Sequence, residues 1–306
     1  MARATGKRCR RRKTTMKIAL LGAGLMGQPM AERLLASGHE VVVYNRTREK
    51  AEQLKPKGAA IAEEPDQAIR SAACVILMLA DAQAIRQVLM SGTTWKALAG
   101  RTVIQMGTIA PSESQALQRD VMAAGGEYLE APVLGSIPEA QAGNLVVMVG
   151  GGSDQFERWV PLLQCLGQTP RLIGPVGQAA AVKLALNQLI ASLTSAFALS
   201  LGLVLRAQVP VDMFMTILRQ SALYAPTFDK KLSRLLDRDY ANPNFPTRHL
   251  LKDVDLFLSE AGHVGLETGV LEGLRRLLEQ TVAENWGNAD YSALFNVVNP
   301  GPEVGR

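Results

Sequence analysis

Lys183 and Asn187 are the two residues whose types and spacing point most directly to chemistry. They sit in the stretch Gly174–Ala191, which reads as a Gly-Pro turn opening into a long helix. From Ala179 to Leu205 the only charge is Lys183. Residues four apart share a helix face, so an ammonium and a carboxamide lie side by side in an apolar wall. Burial lowers a lysine's affinity for its proton. Such a lysine suits a general acid that protonates an oxygen gaining charge. The alternative is a lysine that snorkels from a core helix to water.

Gly22-x-Gly24-x-x-Gly27 lies between the apolar strand Lys17–Leu21 and a helix running to about Leu35. That context marks a dinucleotide-binding turn. Gly22 allows the tight bend, Gly24 lets backbone approach a pyrophosphate, and Gly27 lets helix and strand pack closely. Ala23, Leu25 and Met26 complete the turn. The helix N-terminus offers free N–H groups to the anion. The second strand, Val41–Tyr44, runs into Asn45-Arg46-Thr47. An NAD site usually carries a carboxylate there for the ribose hydroxyls. Arg46 instead suits a 2′-phosphate, with Asn45 and Thr47 adding hydrogen bonds. NADP(H) is therefore expected over NAD(H), unless Arg46 merely starts the next helix.

Other stretches are weaker signals. Leu79 ends the strand-like run Cys74–Leu79, and Thr108 follows the strand Thr102–Gln105. Carboxyl ends of strands in doubly wound sheets face the ligand, which puts both beside the cofactor. Thr108 and Ser112 could equally start a helix. Glu130-Ala131-Pro132-Val133-Leu134-Gly135-Ser136 follows a strand. Its turn could present backbone N–H groups to a carboxylate, or be a plain strand exit.

Elements must position these residues. Strand and helix patterns alternate through about residue 173, with further strands expected at 59–62, 128–130, 145–149 and 171–173. Helices are expected at 48–54, 65–71, 84–89, 112–124 and 154–166. This predicts a Rossmann-type doubly wound α/β domain over 16–173. Beyond Gly174 strand patterns stop, and helices are expected at 178–206, 211–219, 228–237, 247–261, 266–285 and 290–297. Residues 174–306 thus read as an all-helical domain for substrate and oligomer contacts, entered through one long interdomain helix.

Composition narrows the class. The chain has 306 residues, enough for two domains, and 47% hydrophobic content supports a large core. Its three cysteines show no disulfide or metal spacing, and its three histidines form no zinc pair. A reducing, cytoplasmic setting and no metal are expected. Net charge is +5, but seven of the 33 basic residues lie in 1–15, which leaves 26 against 28 acidic residues elsewhere. The high pI belongs to that stretch, read as a basic disordered leader before a start at Met16. A nucleic-acid arm or a transit peptide are its alternatives. Gln188–Leu205 is uncharged and about long enough to cross a bilayer. Its serines and threonine, and its continuity with Lys183, favour a helix buried all round between domains or subunits, and no membrane association.

Taken together, GAGLMG, NRT, MGT, EAPVLGS, GPVGQAAAVKLALN and FPTRHLLKD resemble the β-hydroxyacid dehydrogenase family. That family includes 3-hydroxyisobutyrate dehydrogenases and glyoxylate/succinic semialdehyde reductases. The resemblance covers almost everything from Met16, and ANPNFP before the last stretch is most similar to the reductase branch. It implies that Lys183 is the catalytic lysine and that Asn187 helps hold substrate. It places Thr108 and Lys252 against cofactor, and Phe245 and Asp253 on the substrate side. Without it, Lys252-Asp253 reads as an exposed charge pair and Phe245 as core.

The chain departs from the family pattern at Leu134 (usually serine), Ala179 (usually glycine) and Gly107 (usually serine). Leu134 removes a hydroxyl from the expected carboxylate site at Leu134, Gly135 and Ser136. Imine reductases share the fold but lack the lysine, so Lys183 favours carbonyl chemistry. The expected activity is NADPH-dependent reduction of small aldehyde acids, such as succinic semialdehyde or glyoxylate, by a dimer or tetramer. The rival enzyme reading is a 3-hydroxyisobutyrate-type dehydrogenase that oxidises a β-hydroxyacid with NAD(P). A third is a non-catalytic, nucleic-acid-associated protein like the family's chromatin-associated member, which lacks the lysine.

Overall fold

The computed structural model describes residues 15–301. Apart from Thr15, the basic leader lies outside the described residues. Nine strands form one sheet: β1 (Lys17–Leu21), β2 (Glu40–Tyr44), β3 (Ala60–Ile61), β4 (Cys74–Leu77), β5 (Thr102–Gln105), β6 (Glu127–Glu130), β7 (Val133–Leu134), β8 (Val146–Gly150) and β9 (Arg171–Gly174). Their order is β3-β2-β1-β4-β5-β6-β8-β7, with β9 also paired to β8. The pairings from β3 through β6 are parallel, and β8 runs antiparallel to β6 and β7. The chain builds outward from β1 to β3, then crosses back to lay β4 on the other side of β1. That reversal opens a crevice at the carboxyl ends of β1 and β4.

The central strands are unbroken apolar runs because both their faces are covered. Ile18, Leu20, Ile76 and Ile104 point into one core, and Ala19, Leu21, Val75, Leu77 and Val103 into the other. Helices α1 (Gly27–Ala36), α2 (Arg48–Glu52), α3 (Pro65–Arg70), α4 (Ala82–Leu89), α5 (Pro111–Ala123), α6 (Ile137–Ala142) and α7 (Ser153–Leu163) intervene between strands. Two elements in this half go beyond expectation. β7 is only two residues, too short for a period to register. α6 begins at a capping box in which Glu139 accepts hydrogen bonds from the Ser136 backbone and hydroxyl.

The second half is helical: α8 (Gln178–Arg206), α9 (Val211–Gln220), α10 (Pro226–Asp237), α11 (Thr247–His263), α12 (Gly269–Thr281) and α13 (Leu294–Val298). Pro210, Pro226 and Pro246 each sit at a helix start, where a missing N–H costs nothing. The last turn of the helix expected over 266–285 departs from α geometry, with Asn285 at φ +68°. These helices share a third core around Phe197, Leu201, Leu250 and Phe295. α8 is not buried all round within the chain: Leu189, Leu199 and Leu203 on it are exposed. It is long and apolar enough to cross a membrane by length and composition, and its Lys183 face packs inward.

Candidate active site

The glycine turn shows what each glycine is for. Gly22 has φ +108°, and a Cβ there would run into the Met78 carbonyl. A Cβ on Gly27 would run into the Gly22 carbonyl. At Gly24 nothing lies within 4 Å of an added Cβ. The protein itself therefore requires two of the three glycines, and Gly24 borders open space in the cleft. α1 has no side-chain cap and no acid in its first turn, so nothing anionic competes for its N-terminal N–H groups. These features fit a dinucleotide pyrophosphate.

Asn45 has a bracing role that the sequence reading did not give it. Its Oδ1 accepts from Ala23 N at 2.9 Å, and its Nδ2 donates to Thr47 O at 2.8 Å. Both polar ends are thereby engaged within the protein, and Asn45 ties the glycine turn to the end of β2. Arg46 and Thr47 are exposed just beyond it. Gly22, Ala23 and residues 45–47 lie outside the cleft lining, while Gly24, Leu25, Met26, Gly27, Leu79 and Thr108 contribute to it.

The start of α8 is fixed by a carboxylate from the sheet. Glu130 Oε1 accepts from the backbone N–H groups of Gly177, Ala179 and Ala180 at 2.8, 2.9 and 3.2 Å. Its Oε2 accepts from the Ser114 hydroxyl at 2.5 Å. A helix N-terminus normally leaves four N–H groups unpaired, and an anion there also meets a favourable dipole. Burial raises the Glu130 pKa while these donors oppose the rise. Sequence reasoning singled out this stretch but not this role, because the partners lie 47–50 residues apart.

With α8 so anchored, Lys183 and Asn187 face the cleft between sheet and helices. Lys183 is 9% exposed and has neither ion pair nor hydrogen bond among the described residues. Burial pulls its pKa down to about 8, against the pull of Asp253 in the other direction. Asn187 Nδ2 donates to Asp253 Oδ2 at 2.6 Å, which orients the amide and leaves its Oδ1 buried without a donor. Lys252 Nζ donates to Thr108 O at 2.7 Å. It also lies 2.8 Å from Asp253 Oδ1, off the hydrogen-bonding direction, so that oxygen too keeps no donor. Asp253 is buried, so Lys252-Asp253 is no surface charge pair. Phe245 lines the cleft and packs edge-on against Tyr291 at 5.7 Å between centroids.

The cleft has a volume of about 680 Å³ and takes in all the residues expected on the substrate side. The loop expected to offer donors to a carboxylate differs from expectation in one respect. Leu134, Gly135 and Ser136 line the cleft, but Ser136 spends its N–H and its hydroxyl on Glu139 Oε2, at 2.8 and 2.6 Å. Ser136 is thereby committed to capping α6. Residues the sequence did not flag also line the cleft, notably Lys230, Lys231, Glu139 and His249. Lys231 is ion-paired to Asp290 at 2.6 Å.

Known proteins match the chain along most of its length. Residues 17–177 match a family profile described as the NAD-binding domain of 6-phosphogluconate dehydrogenase. Residues 177–298 match one described as NAD-binding of NADP-dependent 3-hydroxyisobutyrate dehydrogenase. The chain is 30% identical to glyoxylate/succinic semialdehyde reductase 1 of Arabidopsis thaliana, over 92% of this chain and 98% of that protein. It is 31% identical to 2-hydroxy-3-oxopropionate reductase of Escherichia coli, over 92% of this chain and 97% of that one. Among solved structures, 3-hydroxyisobutyrate dehydrogenase of Mycobacterium tuberculosis with L-serine superposes with a TM-score of 0.83 at 22% identity, covering 93% of this chain and 99% of that chain. That last likeness speaks to the fold.

Proposed function

This chain belongs to the β-hydroxyacid dehydrogenase family of oxidoreductases, and on that premise we propose that it reduces small aldehyde acids with NADPH. The observation that carries the proposal is the unpaired, buried amine of Lys183 facing the same cleft as the glycine turn. Gly24 and the start of α1 would hold the pyrophosphate, Leu79 and Thr108 would flank the ring end, and exposed Arg46 would meet a 2′-phosphate. A dinucleotide held there would supply the hydride for the carbonyl carbon. Lys183, as the ammonium, donates a proton to the carbonyl oxygen as negative charge builds there. Asn187, its amide held by Asp253, lines the cleft one helical turn from Lys183, where it would help orient the substrate.

Initial rates with NADPH and NADH over a panel of semialdehydes and hydroxy acids test this reading. Faster turnover with NADPH on aldehyde acids is expected. Preference for NADH would overturn the role given to Arg46. The oxidative reading, a 3-hydroxyisobutyrate-type dehydrogenase, draws on the Lys183 pKa near 8, because the neutral amine could then serve as base. Turnover of hydroxy acids with no aldehyde reduction would favour it. A purely structural role gains nothing from an unpaired ammonium in a cleft.

We further propose a homo-oligomer. Leu189, Leu199 and Leu203 of α8, with Met213 and Ile217 of α9, stay exposed on helices too apolar for a free surface. Sedimentation of the full chain should give a dimer or larger, and a monomer at micromolar concentration would refute it.

A further inference from the structure

Most charged side chains in the cleft are committed within the protein. Lys231 is paired with Asp290, and Lys252 is held by Thr108 and Asp253. Asp253 accepts from Asn187, and Glu139 accepts from Ser136. Lys183 is the proposed acid. His249, half-buried on α11, lines the same cleft, and its ring makes no hydrogen bond or ion pair among the described residues.

The place of that ring follows from α11. His249 precedes Lys252 and Asp253 by three and four residues, so the three share one helix face. Lys252 reaches the chain just past β5, at the Thr108 carbonyl. One turn earlier, His249 lies within reach of the charge of Asp81, just past β4. The face of α11 thus looks onto the carboxyl ends of β5 and β4, and Met78, Leu79 and Ala80 beyond β4 line the cleft with it. The strand order β2-β1-β4-β5 sets what would lie beneath. A dinucleotide with its 2′-phosphate at Arg46 after β2 and its pyrophosphate at the glycine turn after β1 would bring its nicotinamide to Thr108 after β5. Between pyrophosphate and nicotinamide, at β4, comes a ribose.

The surroundings favour a neutral ring. Burial lowers the His249 pKa below its ordinary value, the cations Arg248 and Lys252 push the same way, and Asp253 and Asp81 oppose them. A neutral imidazole carries one donor and one acceptor, which suits a hydroxyl. A phosphate would draw the ring toward its cation instead. We infer that His249, from the helical domain, hydrogen-bonds a hydroxyl of the ribose next to the nicotinamide. This rests on reading the cleft as a dinucleotide site. The contact is common to NADPH and NADH, so it adds affinity without choosing between them, unlike Arg46.

The test is binding to the full chain, by fluorescence titration of NADPH and NADH and by calorimetry of 2′,5′-ADP, which keeps the 2′-phosphate but lacks the second ribose. Loss of one neutral hydrogen bond in His249→Ala should weaken both dinucleotides about five-fold and leave 2′,5′-ADP unchanged. His249→Asn or His249→Gln, which keep a donor and an acceptor, should recover part of that loss. Arg46→Ala should give a different pattern, weakening NADPH and 2′,5′-ADP and sparing NADH. Unchanged NADPH affinity in His249→Ala overturns the inference, as does no recovery in either amide variant. A parallel weakening of 2′,5′-ADP also overturns it, since the loss would then come from a disturbed fold and not from the second ribose. A loss confined to NADPH would move His249 to the phosphate end and overturn it too. Should NADH bind too weakly to measure, the contrast between NADPH and 2′,5′-ADP decides. A wild type that binds neither dinucleotide refutes the cofactor reading itself, and this inference with it.

Discussion

Lys183 and Lys231 line one cleft and are equally buried, at 9% exposure each, yet their surroundings are opposite. Lys231 is held by Asp290 through contacts of 2.6 and 2.8 Å and sits 4.1 Å from the Tyr291 ring centroid. Asp290, wholly buried, also accepts from the Ser292 N–H and hydroxyl, at 3.1 and 2.7 Å. Lys183 has no such partner. Burial lowers both pKa values, and in Lys231 it outweighs the pull of Asp290. One amine is built into a polar hub that joins α10 to the C-terminal segment. The other is left with its hydrogen-bonding capacity unspent. Unspent capacity in a buried cation is costly to the fold, and is what a proton donor needs.

The comparison breaks most sharply on activity. Lys183→Ala should cut turnover about a hundred- to ten-thousand-fold, the usual worth of general acid catalysis, while NADPH still binds. Steady-state kinetics with a cofactor titration by fluorescence measure both. Turnover kept within ten-fold would remove Lys183 from the chemistry.

Lys231 should fail differently. Lys231→Met alone, or Asp290→Asn alone, should cost about 3–5 kcal/mol of stability by stranding a buried partner, and Lys231→Met/Asp290→Asn, which keeps an acceptor for Ser292, should recover part of it. Chemical denaturation of the three variants gives the answer. Unchanged midpoints in the single variants would mean that the pair is not the hub described here.

The two lysines also differ in how far sequence could see them. Lys183 stands out because it is the sole charge in a 27-residue apolar helical run. Lys231 is one of two adjacent lysines on an amphipathic helix, and its partner is 59 residues away, so no local pattern distinguishes it from a solvated charge. The same divide runs through the molecule. Gly22, Gly24 and Gly27 are legible because turn, helix start and strand are contiguous. The pairing of Asn187 with Asp253 and the cap of Glu130 on α8 are not, because only tertiary packing brings them together. Ser136 and Glu139 had a local signature, serine three before glutamate, but the flanking strand and helix were too short to draw attention to it.

Lys183→Met, unlike Lys231→Met alone, should also stabilise the protein. Lowering its pKa from 10.5 to about 8 implies a burial cost of about 3 kcal/mol at neutral pH. An apolar side chain of similar length should recover up to about that amount, read as a higher denaturation midpoint. A variant less stable than wild type would mean the amine is satisfied by a contact not apparent in this structure.

The smallest effect is the most diagnostic, because activity and stability should move in opposite directions with pH. The folded pKa of Lys183, about 8, lies below its ordinary value of 10.5. Aldehyde reduction needs the ammonium, so its rate should be level below pH 8 and fall about ten-fold per unit above it. Between pH 8 and 10.5 the unfolded chain holds a proton that folded Lys183 has lost. Linkage therefore makes this residue's contribution to stability rise across that window. In Lys183→Met both trends should vanish together. Lys231 should add no limb to the rate profile, since its amine is already committed to Asp290. A rate that stays level from pH 6 to 10 in the wild type would separate Lys183 from the proton transfer, even if its removal slows the enzyme.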